Sequence, residues 1–301
     1  MNLLSRVLPP QTLWTDSLFR AQARAVHWGG SWWRMRDRTV AWFSQSLVTV
    51  VGIWLGLAAL LWLLPVERDA QTWLRDFTRI YWLLCMAFGL TFDIAIDFNS
   101  LSAALGVING AVNAGRYDLI RLSLMRPAQF VAKQYAVAQV RGWFATARVV
   151  WLRLAFVIFG VFALALEIIT PNTGASSTFF AYPYMMVGIG AIIYVLEPYW
   201  RMKAVTALGV ALSARMLNGV STTLAAGFAL LAFWLAQGIF IVALAFVLSF
   251  SLVLVFADEF ALIVCFPFLV AVAGGTIYGF YSFVQTASLR HAAWRLLLMH
   301  D

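Results

Sequence analysis

Long apolar runs recur along the chain, and short segments that contain most of its charged residues separate them. Each run is as long as the roughly 20 residues with which an α-helix crosses the hydrocarbon core of a bilayer. The alternating ten-residue segments that are typical of a membrane β-barrel do not occur. The pattern therefore predicts an all-α, polytopic membrane protein with almost no soluble domain.

We expect about six transmembrane helices. Residues 220–257 form one apolar run that is too long for a single span, so we expect a full span followed by a re-entrant outer piece before the last span. Gln237-Gly238 is the predicted break. A seven-span layout, which would place the two termini on opposite sides, is the alternative. The other predicted spans are 44–65, a second that starts near Ile80 and continues past Asp93 and Asp97, 147–169, 180–197 and 260–284.

Three regions follow from this layout. Residues 1–43 are basic and contain Trp32 and Trp33 beside Arg34, which favours an amphipathic helix in the headgroup layer. An ordinary basic flank of the first span is the alternative. The transmembrane domain covers 44–285 and includes a basic segment, 114–143, between its second and third spans. Residues 286–301 form a basic tail.

Composition and charge agree with this class and give it an orientation. Hydrophobic residues make up 63% of the chain and charged residues 11%, whereas soluble domains contain about 25% charged residues. Lys and Arg accumulate on the cytoplasmic side of membrane proteins, so both termini and segment 114–143 are predicted to be cytoplasmic. The membrane is predicted to be the plasma membrane. Anionic lipid headgroups account for the net charge of +8 without a nucleic-acid partner.

Most catalytic chemistry is disfavoured. The three histidines lie outside the predicted spans, and the sequence contains no Walker loop and no HExxH or GxSxG motif. We therefore expect no enzyme activity, cofactor or metal in this chain. Cys85 and Cys265 lie inside apolar runs and are predicted to be inert core thiols.

Charged residues in or near the spans are the remaining candidates. Asp93 and Asp97 are four residues apart and share a helix face, which makes them a candidate polar pathway. The preferred interpretation is that the second span ends near 89–93 and that both are interfacial. Glu197 is also expected at an interface, and Arg148 and Arg153 are expected to extend to the headgroups.

Segment 114–143 contains the most informative pattern. Tyr117 to Arg126 can form a short amphipathic helix that Pro127 stops or restarts, and such a helix suits the groove of a partner protein. A solvated basic loop is the alternative. The order of residues resembles the permease subunits of type 2 ATP-binding-cassette (ABC) exporters, which have a Gly-x-x-[Glu/Asp]-Leu-[Leu/Ile] turn after their second span. The matching residues are Gly115, Asp118, Leu119, Ile120, Ser123 and Pro127.

The resemblance extends to the six-span plan, the amphipathic N-terminus, the re-entrant piece and residues 207–215. It implies a permease that pairs with a second permease subunit, identical or different, and that is driven by a separate ABC ATPase subunit. It also implies that a coupling helix contacts the ATPase through Gly115, Arg116, Tyr117, Asp118, Leu119, Arg121, Leu122 and Ser123. The substrate is not specified.

Two other functions fit the residues. One alternative to the permease is an accessory subunit of a larger membrane complex, with the Trp-rich basic N-terminus as a docking surface. The other is an ion or proton carrier that uses Asp93 and Asp97.

Overall fold

The computed structural model describes residues 33–63, 70–113, 126–169, 178–215, 219–255 and 259–298. Every regular element in these ranges is a helix, which confirms the all-α prediction for this part of the chain. The helices are α1 (Trp33–Trp62), α2 (Ala70–Leu105), α3 (Val107–Asn113), α4 (Pro127–Ile169), α5 (Thr178–Ser213), α6 (Gly219–Val255) and α7 (Glu259–Leu298).

Five stretches of the described helices are long and apolar enough to cross a membrane. Their outward side chains are large and apolar: Phe246, for example, is 72% exposed and Ile239 is 72% exposed. Such surfaces suit a hydrocarbon surrounding better than water. The fold therefore fits a multi-pass membrane protein, as predicted. The stretches are Ala41–Trp62, Thr72–Gly110, Ala145–Ala165, Ser221–Val247 and Phe268–Leu298.

The finer layout differs in part from the prediction. Helix α6 runs without interruption through Gln237 and Gly238, so the predicted break there is wrong. A glycine in a helix costs about 1 kcal/mol, whereas freed backbone groups in apolar surroundings cost several kcal/mol each, and the continuous helix is favoured. Helix α5 covers the predicted fourth span, 180–197, but is not one of the five stretches. The six-span layout stays a prediction.

The ends of three helices extend the predicted spans. Residues 33–43 continue directly into the first span as part of α1. Residues 286–298, assigned to the tail, continue the last span as part of α7. Helix α4 begins at Pro127, the position where proline is favoured because its missing N–H group has no helical partner to lose.

The described residues divide into two units, and three helices contribute to both of them. The first unit contains the described residues of 96–144 and 199–298. The second contains the described residues of 33–95 and 145–198.

The first unit contains two apolar clusters. In one of them, α2 and α5 approach closely at Gly209, where a Cβ atom would lie 2.7 Å from the Ala104 Cβ and 3.1 Å from the Leu101 carbonyl oxygen. Ser213 Oγ accepts hydrogen bonds from the backbone N–H groups of Ile108 (3.0 Å) and Asn109 (3.2 Å), which lack helical partners at the start of α3. In the other cluster, α6 packs against α7 through residues such as Phe233 and Tyr281.

The second unit has an aromatic core formed by α1, α2 and α4. Tyr81 Oη donates to the Val50 carbonyl at 2.7 Å, and Trp54 Nε1 donates to Thr78 Oγ1 at 3.2 Å. Polar ring atoms thus have protein partners while the ring faces pack together. Cys85 is buried in this core, as predicted for an inert thiol; Cys265 lies outside the residues whose side chains are described.

Candidate functional site

Arg153 on α4 is almost completely buried in the second unit, with 1% of its surface exposed. It forms ion pairs with Asp93 of α2 and Glu197 of α5. Nη2 donates to Asp93 Oδ1, and Nη1 donates to Glu197 Oε2 at 3.0 Å. We call these three residues the Arg153 cluster. It joins three helices through one guanidinium group.

Backbone oxygens complete the surroundings of this arginine. Nη1 donates to the Tyr194 carbonyl at 2.8 Å, and Nε and Nη2 donate to the Gly89 carbonyl at 3.4 and 3.3 Å. The guanidinium carbon lies 4.3 Å from the centre of the Tyr194 ring, which adds a cation–π contact. The rigid fork of Arg is suited to such a set of acceptors, whereas Lys could not satisfy it.

The absence of a side chain at Gly89 makes this geometry accessible. A Cβ atom at residue 89 would clash with the Tyr194 hydroxyl and lie 3.3 Å from Phe156 Cδ2. The same hydroxyl donates to the Met86 carbonyl at 3.0 Å. Gly89 therefore lets α2 and α5 approach closely enough for both to reach Arg153.

A further buried ion pair lies in the first unit. Arg201 of α5 donates from Nε to Asp97 Oδ1 at 2.8 Å and from Nη2 to Asp97 Oδ2 at 2.5 Å, the bidentate geometry of strong Arg–carboxylate pairs. Trp234 Nε1 of α6 also donates to Asp97 Oδ2, at 2.6 Å. Asp97 has no exposed surface. We call this arrangement the Arg201 pair.

These positions correct one sequence-based interpretation, because Arg153 binds two carboxylates in the protein interior instead of extending outward to the headgroups. Asp93, Asp97 and Glu197 are also buried in the protein. Their depth in the bilayer stays a prediction. Desolvating an ion costs several kcal/mol, and partners inside the protein offset that cost. Arg148 is exposed, and its guanidinium carbon lies 5.0 Å from the centre of the Trp42 ring.

The partners of the two aspartates were missed because they are remote in sequence: Asp93 and Arg153 are 60 residues apart, and Asp97 and Arg201 are 104 apart. A signal was nevertheless present. Asp93 and Asp97 are one helical turn apart on α2, and Glu197 and Arg201 are one turn apart on α5. Charges that repeat at this spacing in apolar helices indicate facing partners.

The predicted coupling helix cannot be placed, since Gly115, Arg116, Tyr117, Asp118, Leu119, Arg121, Leu122 and Ser123 lie outside the described residues.

The described helices, the Arg153 cluster and the Arg201 pair fit a multi-pass helical membrane protein with charged groups in its interior. Comparison of the chain with protein-family models, with curated proteins and with solved structures gives no match.

Proposed function

We propose that this chain is the permease subunit of an ABC exporter in the plasma membrane, with both termini in the cytoplasm. A separate ATPase subunit hydrolyses ATP, and this chain, paired with a second permease subunit, moves the substrate. The order of residues from Gly115 to Pro127 supports the proposal, as do the apolar helices on either side of that segment.

The order of residues from Gly115 to Pro127 carries the proposal, and the Arg153 cluster adds a structural reason to expect a functional role for the helices around it. Replacing a buried ion pair with apolar residues is often neutral or stabilising, so ion pairs are weak evidence for stability alone. Charged groups in membrane helices are costly and mark sites of function. In a permease, such a cluster fixes one arrangement of α2, α4 and α5, and exchanging its partners defines another.

Within this proposal, Asp93 and Asp97 hold helices together rather than line an open polar route. Each carboxylate receives hydrogen bonds from an arginine. A carrier would need these carboxylates to exchange their partners for protons or ions during transport. A carrier would show proton or ion flux through the unsubstituted chain in liposomes, and the absence of such flux would exclude the carrier.

Disulfide or bifunctional crosslinking tests the proposal. Arg116→Cys and Arg121→Cys are made in a Cys85→Ala/Cys265→Ala background and expressed with a co-purifying ABC ATPase that carries cysteines along its membrane-facing cleft. We expect a product of summed mass in the nucleotide-bound state that ADP and vanadate trap. Arg68 lies between the first two predicted spans, on the side of the membrane opposite to segment 114–143 in the predicted layout. Arg68→Cys is therefore the matched control and should give no product.

The same experiment distinguishes a permease from an accessory subunit. An accessory subunit would co-purify with other membrane proteins and without an ABC ATPase. If the ATPase co-purifies but neither cysteine crosslinks to it, the coupling role assigned to residues 115–123 is wrong.

A further inference from the structure

The carboxyl ends of α5 and α7 lie together in the first unit. Ala214, which follows the last residue of α5, and Ala292, in the last turns of α7, are buried in one apolar cluster. Arg215 comes next in the chain, and its side chain interacts electrostatically with His291 of α7, as does that of Arg295. Basic side chains from two helix ends are therefore near one another.

The arginines at this end have no anionic partner among the described side chains. Arg215, Arg290 and Arg295 are exposed, and none of the ion pairs of the described residues includes them. Among the described side chains of the first unit, the only carboxylate is that of Asp97, which is completely buried and bound to Arg201. An anion from outside the chain would lower the repulsion between these cations.

The apolar side chains beside the cations suit the boundary between lipid headgroups and hydrocarbon. Trp294 is 52% exposed, its ring centre lies 6.0 Å from that of His291, and the Arg295 guanidinium carbon lies 5.7 Å from its ring centre. Tryptophan is enriched at this level of membrane proteins. Leu297 and Leu298, one turn further along α7, are also exposed. One surface thus offers cations to a headgroup and apolar side chains to the acyl chains attached to it.

We propose that the ends of α5 and α7 bind an anionic phospholipid, with its headgroup on Arg215, Arg290 and Arg295 and its acyl chains against Trp294 and Leu298. Each cation near the membrane surface strengthens the binding of anionic lipid about fivefold. The exposed apolar side chains favour a lipid over a free phosphate ion, which would use the cations alone. This inference does not depend on ATP-driven transport.

Native mass spectrometry of the full chain in a detergent that preserves bound lipid measures the affinity. The chain is titrated with phosphatidylglycerol and, separately, with phosphatidylcholine that has the same acyl chains. We expect phosphatidylglycerol to bind several-fold more tightly. Arg215→Gln/Arg295→Gln should weaken its binding on the order of tenfold and leave phosphatidylcholine binding unchanged. Equal affinity of the wild-type chain for the two lipids would overturn the proposal.

Two further variants separate a site from general attraction and from misfolding. Arg141→Gln/Arg148→Gln removes the same charge from two exposed positions on α4 and should leave the affinity for phosphatidylglycerol nearly unchanged. If it weakens binding as much as Arg215→Gln/Arg295→Gln does, net charge explains the binding and the site is refuted. Arg215→Lys/Arg295→Lys keeps the charge and should retain most of the affinity.

Inorganic phosphate distinguishes a lipid site from a site for free anions. A ligand that binds the folded state raises Tm. For the wild-type chain in phosphatidylcholine nanodiscs, Tm should therefore rise when phosphatidylglycerol is included, and should not rise when inorganic phosphate is added to the buffer. The rise should be smaller for Arg215→Gln/Arg295→Gln. A rise with phosphate as large as that with the lipid would overturn the assignment to a phospholipid.

A photoreactive phosphatidylglycerol locates the site. With a diazirine in the acyl chain close to the headgroup, we expect crosslinks to peptides that contain Trp294 or Leu298, identified by mass spectrometry. An excess of unlabelled phosphatidylglycerol should suppress these crosslinks, and an excess of phosphatidylcholine should not. Crosslinks confined to other helices would show that the lipid binds elsewhere and would overturn the proposal.

Discussion

Arg153 Nη1 and Glu197 Oε2 lie 3.0 Å apart in the interior of the second unit, and the same guanidinium group binds Asp93. Each of the three charges comes from a different helix. Because Arg153 is almost completely buried in the protein, its carboxylate partners are what make its charge tolerable there.

Removal of the arginine alone should therefore be strongly destabilising. Arg153→Met leaves two carboxylates buried without their cation, and we expect the free energy of unfolding to fall by about 3–5 kcal/mol. Denaturant titration in detergent micelles measures it. Arg148→Met is the matched control on the same helix: its side chain is exposed over Trp42, so a loss of at most about 1 kcal/mol is expected. Equal effects of the two substitutions would refute the assigned role of Arg153.

The Arg201 pair should show energetic coupling. Asp97→Asn and Arg201→Gln each leave one charge buried and unmatched. The free energy of unfolding of the double variant should therefore fall by about 1–3 kcal/mol less than the sum of the two single losses. Substitution of Arg290, which is exposed on α7, by Gln provides the control cycle with Asp97→Asn. That cycle should be additive within about 0.5 kcal/mol. Additivity in the Asp97–Arg201 cycle would contradict the pair.

The absence of a side chain at Gly89 should be as necessary for stability as the buried charges. Gly89→Ala places a methyl group against the Tyr194 hydroxyl, and we expect a loss of about 1–3 kcal/mol from overpacking. Tyr194→Phe removes the clashing oxygen and should recover part of that loss in the double variant. Gly52→Ala on α1 is the control, because nothing lies within 4 Å of its added Cβ. It should be neutral or stabilising by up to about 1 kcal/mol. If Tyr194→Phe does not relieve the destabilisation, the added methyl group does not clash with the Tyr194 hydroxyl.

The sequence was sufficient to predict the helices, since apolar runs of this length have few other stable forms. It was also sufficient to place Asp93 and Asp97 on one helix face. It did not show what that face meets, because helical periodicity identifies the buried side of a helix and not the neighbour that covers it. Arg153 lies within the apolar stretch Ala145–Ala165, where partners inside the protein are more favourable for its charge than apolar surroundings.

Gly89 and Gly238 show in the same way that a sequence does not reveal which neighbour a helix face meets. Gly89 and Gly238 both lie within long helices. At Gly89 an added Cβ meets Tyr194, whereas nothing lies within 4 Å at Gly238. Nothing in the local sequence distinguishes these two cases, because the difference depends on a helix more than 100 residues away for Gly89. The sequence therefore predicts a break at Gly238 that the structure does not have, and it does not predict the role of Gly89.

The proposed function requires that segment 114–143 face the cytoplasm, where an ATPase can reach it. Labelling of single cysteines in sealed cells with a membrane-impermeant maleimide measures this directly. We expect Arg121→Cys to react only after the cells are opened, and Arg68→Cys to react from outside. Reaction of Arg121→Cys in sealed cells would invert the orientation and exclude ATP-driven transport by this chain.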